Sequence, residues 1–355
     1  MKKKILHIID GLPRGGAETL LVGTIQYLAD FTHIIVSLTP RNDFAAELAN
    51  TEVITLDFKW YHSIPGTVKQ VKGIIEKYQP NVVHAHLYWS TIIARLAAPK
   101  GLKQLNSYHN VLYGPKGAKY PVHARLLDKL TYRKRITTLC VSSEVAKDVK
   151  KYIGITDNVA VLYNYIENQF FENYRPASEI EAQVKLVAVG NLKPQKNYNV
   201  IIEAFDLLQQ QGISQRFTMD IYGKGDLLPD FEKLLSQKSI TNLHFKGAVP
   251  DVAARLPQYD LYIISSAYEG FGIAVAEAMA VGLPVLVSGI EVLREVTAGK
   301  AILFDPFNPA DLASKLKEVL EGKHALKQLS IEGNAHAQLY RKHNYMKRLS
   351  TYYNT

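Results

Sequence analysis

The sequence predicts an α/β protein of two domains, each built around a parallel β-sheet. The chain has 355 residues, whereas single hydrophobic cores stop growing at roughly 250 to 300 residues. In both halves, short and almost wholly apolar runs alternate with stretches of helical periodicity, which is typical of buried parallel strands joined by helices. A polar stretch without a long apolar period, Asn164 to Gln183, separates the halves. The domain boundary is therefore expected near residue 170.

The elements can be placed in order along both halves. In the first half we expect β-α-β-α-β elements at Ile5 to Ile9, Ala17 to Ala29, His33 to Leu38, Val68 to Tyr78 and Val82 to His86. In the second half we expect strands at Lys185 to Val189, Thr218 to Tyr222, Leu243 to Phe245, Leu261 to Ile264 and Pro284 to Val287. The expected helices between them are Tyr198 to Gln210, Leu227 to Gln237 and Ile273 to Ala280.

The end of the chain, His336 to Thr355, has a helical pattern and an aromatic face that needs a surface to pack on. We expect a terminal helix that returns to the N-terminal domain. The predicted organisation is an N-terminal domain of residues 1–168, a C-terminal domain of residues 169–335 and the returning helix of residues 336–355.

Composition bounds the class of protein. Hydrophobic residues make up 47% of the chain and charged residues 21%, which is the usage of a folded globular protein. The single cysteine, Cys140, excludes an intrachain disulfide and a thiolate metal cluster, and it fits a reducing cytoplasm. The apolar run after Met1 is too short for a signal peptide, and no run of about 18 apolar residues occurs. We expect a protein that is neither exported by that route nor membrane-spanning.

The positive charge of the chain lies in its first half. Residues 1–168 hold 22 Lys and Arg against 13 Asp and Glu, whereas residues 169–355 hold 20 of each. A basic half fits an anionic membrane surface, nucleic acid or an acidic substrate, and ordinary solubility is the alternative.

One basic segment, Tyr113 to Arg135, has a net charge of +6. Leu126, Leu127 and Leu130 fall at helical spacing within it, so the segment can lie at a membrane interface as an amphipathic helix. Packing of these leucines into the core is the alternative. The charged residues of the segment are Lys116, Lys119, Arg125, Asp128, Lys129, Arg133, Lys134 and Arg135.

The loop after the first strand contains a pair of glycines. Gly15 and Gly16 would let backbone N–H groups approach a phosphate at the start of the next helix, and a tight turn of the chain is the alternative. The loop lacks the G-x-G-x-x-G fingerprint, and no acidic residue ends the second strand, which closes at Thr39. A nicotinamide-dependent enzyme is therefore disfavoured.

The most specific segment of the chain runs from Ser265 to Val285. It follows a predicted strand and opens a predicted helix, so Glu269 lies in a loop at a strand's carboxyl end and Glu277 lies two turns into the helix. Both carboxylates can face one ligand. Between them, the N–H groups of Gly272 and Ile273 stand at the positive end of the helix, which suits a diphosphate.

This run resembles the E-x7-E donor motif of glycosyltransferase family 4. The resemblance implies the GT-B fold, in which two Rossmann-like domains face each other across a cleft. It also implies that Glu269 contacts hydroxyls of the transferred sugar, that Glu277 contacts the nucleotide ribose, and that Gly270, Phe271, Gly272 and Ile273 lie on the sugar and phosphates.

Other segments resemble the same family in order and spacing, and together they cover nearly the whole chain. Val189 to Asn197 resembles the G-R-L-x-x-x-K-G loop whose Arg and Lys neutralise the pyrophosphate. Lys196 matches that Lys, but Asn191 stands at the Arg position. Gly223 lies in a segment similar to the turn beside the base, and Val249 ends one similar to the loop that holds the base.

In the first half, Val82 to His86 resembles the family's D-x-x-H-x-H strand end, with Asn81 in place of the acid. The resemblance places His86 at the mouth of the cleft, near the sugar or the acceptor. His84 is expected to be structural and to point to the opposite side of the strand. His109 ends a segment similar to one that lines the cleft in the family.

We expect a metal-independent enzyme with no cofactor. The chain contains no D-x-D sequence, the usual carboxylate pair for Mg²⁺ or Mn²⁺ in single-domain transferases. Charge on the leaving group would then be met by Lys196, backbone amides and a helix dipole. The catalytic candidates are His86, Lys196 and Glu269.

The predicted function is transfer of a hexosyl unit from a nucleoside-diphosphate sugar to a hydroxyl of a saccharide or lipid-linked saccharide in polysaccharide or glycolipid synthesis. The resemblance implies that the transfer proceeds with retention. The donor is expected to be UDP- or GDP-linked, and no nucleic acid partner is expected. The predicted location is the cytoplasm, with an anionic membrane surface as a further partner of the N-terminal domain. A non-catalytic module that binds sugar nucleotides or glycans is the alternative, motivated by Asn191.

Overall fold

The computed structural model describes residues 2–114, 120–178, 180 and 183–355. The chain divides into two compact units. The N-terminal unit comprises the residues up to Asn164 together with His343–Thr355, and the C-terminal unit comprises Tyr165–Lys342. Both units contain a parallel sheet, which confirms the predicted α/β fold class.

The N-terminal unit contains a seven-stranded parallel sheet with helices packed against it. Its strands are β1 (Lys4–Ile9), β2 (Thr32–Ser37), β3 (Glu52–Thr55), β4 (Val82–His86), β5 (Lys103–Tyr108), β6 (Thr137–Cys140) and β7 (Val159–Val161). Its first five helices are α1 (Gly16–Tyr27), α2 (Ile64–Tyr78), α3 (Tyr88–Ala97), α4 (Val122–Thr131) and α5 (Ser143–Ile153). The strand order is β3-β2-β1-β4-β5-β6-β7.

The C-terminal unit contains a six-stranded parallel sheet of order β10-β9-β8-β11-β12-β13. These strands are β8 (Val184–Val189), β9 (Phe217–Tyr222), β10 (Leu243–Gly247), β11 (Leu261–Ile264), β12 (Val285–Ser288) and β13 (Ile302–Phe304). Its helices are α6 (Asn168–Glu172), α7 (Tyr198–Gln210), α8 (Leu228–Gln237), α9 (Val252–Arg255), α10 (Ile273–Ala280), α11 (Glu291–Thr297), α12 (Pro309–Leu320) and α13 (Leu326–Ala337).

The last helix, α14 (Lys342–Asn354), returns to the N-terminal unit. Tyr345, Met346, Leu349 and Tyr353 are buried there, so the aromatic face has the packing surface that it needs. Tyr340, just before this helix, instead donates a hydrogen bond of 3.0 Å to the carbonyl of Val296 in the C-terminal unit. The segment from residue 336 is thus divided, because residues up to 342 belong to the C-terminal unit.

No helix in the described ranges combines the length and apolar composition that a membrane-spanning helix requires.

Candidate functional site

The strand order of the C-terminal sheet identifies where a ligand site is expected. From β8 the chain continues outward to β9 and β10, whereas β11, which pairs with β8 on its other side, leads to β12 and β13. The loops that follow β8 and β11 therefore diverge and leave a crevice at the carboxyl ends of the strands. Lys196 follows β8 and Glu269 follows β11, so the predicted residues flank this point.

Lys196 and Glu269 form an ion pair of 2.5 Å between Nζ and Oε1. Their side chains are only 19% and 8% exposed. The hydroxyl of Ser266 donates to the same Oε1 at 2.7 Å, and the carbonyl of Gln195 accepts from the N–H of Ala267 at 2.9 Å. The two loops are thereby joined, and a cation and a carboxylate are held together beside the crevice.

The helix α10 begins four residues after Glu269. Gly272 caps it with a φ of 90°, a left-handed conformation that glycine adopts without strain, and a Cβ there would approach Leu293 within 2.7 Å. The first N–H groups of a helix have no partner within it and carry partial positive charge. Ile273 directly follows the cap and Gly270 lies two residues before it. Backbone donors therefore stand at the start of this helix, and their contact with phosphates stays a prediction.

Phe271, although it lies in the predicted donor run, is a packing residue through its side chain. It is 2% exposed, and its ring meets that of Tyr340 edge to face at 5.2 Å between centroids. Only its backbone remains available for the predicted contact.

Glu277 is the fifth residue of α10, so it lies about one turn into the helix and not the expected two. Desolvation by burial, with the charge of Glu167 as a smaller cause, raises the pKa of its carboxyl to about 7. The folded protein therefore holds this proton more tightly than the unfolded chain does.

This raised pKa predicts a pH-dependent stability that Glu277→Gln removes. Between the ordinary pKa of 4.5 and the raised pKa of about 7, the folded state binds more protons than the unfolded state, so the free energy of unfolding falls as pH rises through that window. The Glu277→Gln variant is expected not to show this decrease. Above about pH 7 its free energy of unfolding should exceed that of the wild type by up to about 3 kcal/mol. Urea unfolding at several pH values, followed by circular dichroism, measures the difference. The exposed Glu291→Gln is the control, and equal pH profiles of wild type and Glu277→Gln would contradict the assignment.

The loops after β8, β9 and β10 are joined through their backbones. The N–H of Gly190 donates to the carbonyl of Tyr222, and the N–H of Gly223 donates to the carbonyl of Gly247, both at 2.9 Å. A Cβ at Gly223 would overlap the Gly190 carbonyl, so close loop packing alone requires this glycine. Val249, half-buried, lies two residues beyond Gly247.

Asn191, at the position where the family resemblance implies an Arg, is exposed, and so is Lys193. Both lie in the loop after β8, on the approach to Lys196. Compensation for the missing Arg by Lys193 stays a prediction.

The N-terminal sheet has its own reversal of strand order, between β1 and β4. The loop after β1 holds Gly15, which caps α1, and Gly16, which begins it. A side chain at Gly15 would meet the carboxylate of Glu18, so this glycine admits an acidic side chain at the helix N-terminus. The phosphate contact of the two glycines stays a prediction.

His86 ends β4 and is 4% exposed. The expectation that His84 points to the opposite side of the strand is wrong, because residues two apart share a face of a strand. The two rings lie 4.0 Å apart between centroids. Leu87, the next residue, has a φ of 73°, a strained conformation of the kind that concentrates at functional sites.

His109 follows β5, the strand beside β4, and its ring lies 5.9 Å from that of His86. Burial lowers the pKa of His109 to about 4. Within the described residues, both ring nitrogens of His109 and Nδ1 of His86 are buried without a hydrogen-bond partner. Buried polar atoms normally find partners, so this corner of the unit is suited to a polar ligand.

Sequence reasoning missed two residues here. Asp10, directly after β1, accepts hydrogen bonds from the N–H and hydroxyl of Ser90 and the N–H of Trp89, and so caps α3. His7 places its Nδ1 3.2 Å from His86 Nε2. In the sequence, His7 lies within the apolar run of β1, so the pattern indicates only a buried strand. The residue that His7 contacts depends on the order of the strands in the sheet, which the pattern does not specify.

Comparisons with known proteins agree across both units. Residues 14–170 match the family described as Glycosyltransferase Family 4, and residues 170–336 match the family described as Glycosyl transferases group 1. EpsF of Bacillus subtilis (strain 168), named as a glycosyltransferase, is 26% identical over 329 residues, which are 85% of this chain and 83% of the relative.

One further relative and one solved structure carry names that specify ligands. The UDP-Gal:alpha-D-GlcNAc-diphosphoundecaprenol alpha-1,3-galactosyltransferase of Escherichia coli is 24% identical over 254 residues, or 63% of each chain. The crystal structure of Anabaena Alr3699/HepE in complex with UDP superposes with a TM-score of 0.83 at 14% identity, covering 98% of each chain. At that identity the likeness shows the fold, which is GT-B.

Proposed function

The chain belongs to the family 4 glycosyltransferases of GT-B fold, and we propose that it transfers a hexosyl unit, with retention, from a nucleoside-diphosphate sugar to a hydroxyl of a saccharide or lipid-linked saccharide. The ion pair of Lys196 with Glu269 beside the N-terminus of α10 carries this proposal. A uridine- or guanosine-linked donor fits, and the UDP in the HepE structure supports testing UDP sugars first.

In the proposed reaction the acceptor oxygen bonds to the anomeric carbon as the bond from that carbon to the diphosphate breaks. The acceptor proton passes to an oxygen of the departing diphosphate. Lys196 and the N–H groups of Gly272 and Ile273 stabilise the charge that develops there, so no metal ion is required. Glu269 accepts hydrogen bonds from the sugar, Glu277 from the ribose.

His86 and His109 supply the polar groups of the N-terminal unit. Their three buried nitrogens without partners in the described chain suit the hydroxyls of the sugar or the acceptor.

A thermal-shift screen followed by turnover tests the proposal. Ligands that bind the folded state raise its melting temperature, so one class of nucleoside-diphosphate sugar is expected to stand out among those screened. That sugar nucleotide should then be hydrolysed or transferred by the purified protein in the presence of EDTA. Binding without turnover would favour the alternative of a non-catalytic module, and loss of turnover in EDTA would contradict metal independence.

Asn191→Arg is expected to tighten donor binding, because a guanidinium at this position would add a charge-assisted contact to the diphosphate. The gain should be on the order of 1.5 to 3 kcal/mol if the contact is fully formed. Titration calorimetry with UDP measures it, and Asn199→Arg, on the exposed face of α7, is the control. Loss of activity would mean that Asn191 makes a specific contact of its own.

We further propose that the N-terminal unit docks on an anionic membrane at the cytoplasmic face, through α4. Val122, Leu126 and Leu130 recur every fourth residue on this helix and are 70%, 53% and 65% exposed. Leu127 is half-buried. An exposed apolar strip with a cationic rim is the pattern of an interfacial helix.

The charge of this segment supports the same surface. Lys129, Arg133, Lys134 and Arg135 are exposed, whereas the acid of the segment, Asp128, is fully buried and does not offset them at the surface. Lys116 and Lys119 lie outside the described residues.

Changing Lys129, Arg133 and Lys134 to Ser is expected to reduce binding to vesicles that contain phosphatidylserine. At about 1 kcal/mol per basic residue near an anionic leaflet, the loss should be on the order of 100-fold at low salt. Vesicle sedimentation measures it. The control triple variant changes three exposed lysines of the same unit to Ser, Lys69, Lys72 and Lys100. Equal binding to neutral and anionic vesicles, or none to either, would remove the membrane proposal.

A further inference from the structure

Three histidines cross the N-terminal sheet on one face. His33 lies on β2, His7 on β1 and His86 on β4. The register pairs Ile5 with His33 and Ile9 with His86, so the three side chains step diagonally towards the carboxyl ends of the strands. The last of them reaches the edge where the candidate site of this unit lies.

Hydrogen bonds join these rings into a chain with a fixed first member. His33 Nε2 lies 2.9 Å from the carbonyl oxygen of Leu28, and His33 Nδ1 lies 3.0 Å from His7 Nε2. His7 Nδ1 lies 3.2 Å from His86 Nε2. Because a carbonyl oxygen can only accept, His33 Nε2 carries a proton, and the other nitrogen of a neutral ring is an acceptor. Each following ring therefore donates from Nε2 and accepts at Nδ1.

Burial keeps the three rings neutral near neutral pH. Desolvation lowers the pKa of His7 and of His86 well below 6.5, and neighbouring histidines are smaller causes. Desolvation also lowers the pKa of His33, against the hydrogen bond to Leu28. Each ring then holds one proton, so the direction set at Leu28 is transmitted to His86.

His84 lies beside this chain without setting its direction. Its Nδ1 is 2.7 Å from the hydroxyl of Tyr353 and its Nε2 is 2.8 Å from that of Ser107, and hydroxyls both donate and accept. One nitrogen from each of His7, His84 and His86 lies within 4.8 Å of the others, a spacing that a metal ion could also use. Both nitrogens of His7 and of His84 are already at hydrogen-bond distance from these partners, which favours the hydrogen-bonded network.

We infer that His7 and His33 are positioning residues that hold His86 as its Nε2–H tautomer, so that His86 Nδ1 accepts a hydrogen bond from a ligand hydroxyl. That nitrogen is buried and has no partner in the part of the chain that the structure describes. An unprotonated ring nitrogen can only accept a hydrogen bond. It therefore disfavours oxyanions and carbonyl oxygens, which also only accept hydrogen bonds, and selects a hydrogen-bond donor. In a saccharide this donor is a hydroxyl. The identification of the ligand as a saccharide rests on the proposed function, whereas the tautomer of His86 does not.

Histidine tautomers can be measured in the ligand-free protein by two-bond ¹H–¹⁵N spectra of histidine-labelled samples. At neutral pH, His7, His33 and His86 are each expected to show a protonated Nε2 and an unprotonated Nδ1. A dominant Nδ1–H form of His86, or a tautomer pattern that changes on treatment with a chelator, would overturn the inference. No sugar nucleotide is used, so failure of glycosyl transfer would leave this result intact.

Two variants of His33 test the positioning role. His33→Leu removes the acceptor for His7 Nε2 and is expected to make the Nδ1–H form of His86 detectable. His33→Asn keeps an acceptor, since its Oδ1 can take the place of Nδ1, and is expected to retain the wild-type pattern. Thermal melting of both variants controls for folding. If His33→Leu folds and the His86 tautomer is unchanged, the positioning role of His33 is overturned. If His33→Leu does not fold, loss of the wild-type tautomer pattern in His33→Asn overturns it.

Discussion

Lys196→Ala is expected to weaken nucleotide binding by about 1.5 to 3 kcal/mol, the value of one hydrogen bond to a charged group. This corresponds to a loss of roughly 10- to 150-fold in affinity. The effect should lie near the upper end, because Glu269, whose side chain is 8% exposed, would lose the partner of its charge and would face the diphosphate as an unpaired carboxylate. Turnover should fall as well, since the charge on the leaving group grows in the transition state.

Titration calorimetry with UDP and initial rates with the UDP sugar selected by the thermal-shift screen measure the two effects. Lys196→Arg keeps the charge and should retain most of the binding. Lys185→Ala is the matched control, because this exposed lysine lies on β8 itself, near the amino end of the strand, and its loss changes the net charge equally. Unchanged affinity and turnover in Lys196→Ala would mean that the donor site lies elsewhere.

Most of the fold could be predicted because local signals decide it. The strands Val82–His86 and Leu261–Ile264 and the helices Tyr198–Gln210 and Ile273–Ala280 have their predicted bounds. Each is an apolar run or an amphipathic stretch flanked by polar turns. The sequence pattern does not predict elements such as α3 and β5, since buried polar residues interrupt their apolar patterns, as Asn106 does in β5.

Side-chain environments depend on contacts between residues that are distant in the sequence, and local patterns do not predict these contacts. Phe271 lies inside a motif of ligand-binding residues, yet its ring packs on Tyr340. The link from His33 through His7 to His86 exists only because β2, β1 and β4 are neighbours in this register. Local patterns cannot specify strand order, so these two positioning residues could not be recognised beforehand.

Asp128 is the clearest case of a charge whose environment the sequence conceals. Counted among basic neighbours, it resembles an exposed residue that lowers the net charge of its segment. In the structure it is fully buried and forms an ion pair of 2.5 Å with Arg95 of α3, whose side chain is also buried. The hydroxyls of Tyr108 and Tyr113 donate to its Oδ2 at 2.9 and 2.7 Å. This network attaches α4, the proposed membrane helix, to the rest of its unit.

Asp128→Asn is therefore expected to destabilise the N-terminal unit by about 3 to 5 kcal/mol, because it leaves the Arg95 guanidinium buried without a counter-charge. Both tryptophans of the chain, Trp60 and Trp89, lie in this unit, so urea unfolding followed by tryptophan fluorescence reports on it selectively.

A double variant separates the cost of an unpaired charge from the value of the pair itself. Replacing a buried ion pair with apolar residues of similar volume is often neutral or stabilising, so Arg95→Met with Asp128→Leu should be more stable than Asp128→Asn alone. The surface pair of Lys134 and Asp157, 3.6 Å apart and largely exposed, provides the control, and Asp157→Asn should cost less than about 1 kcal/mol. If Asp128→Asn is no more destabilising than Asp157→Asn, the buried charge of Arg95 must be accommodated without its partner, and α4 must be held to its unit by apolar packing instead.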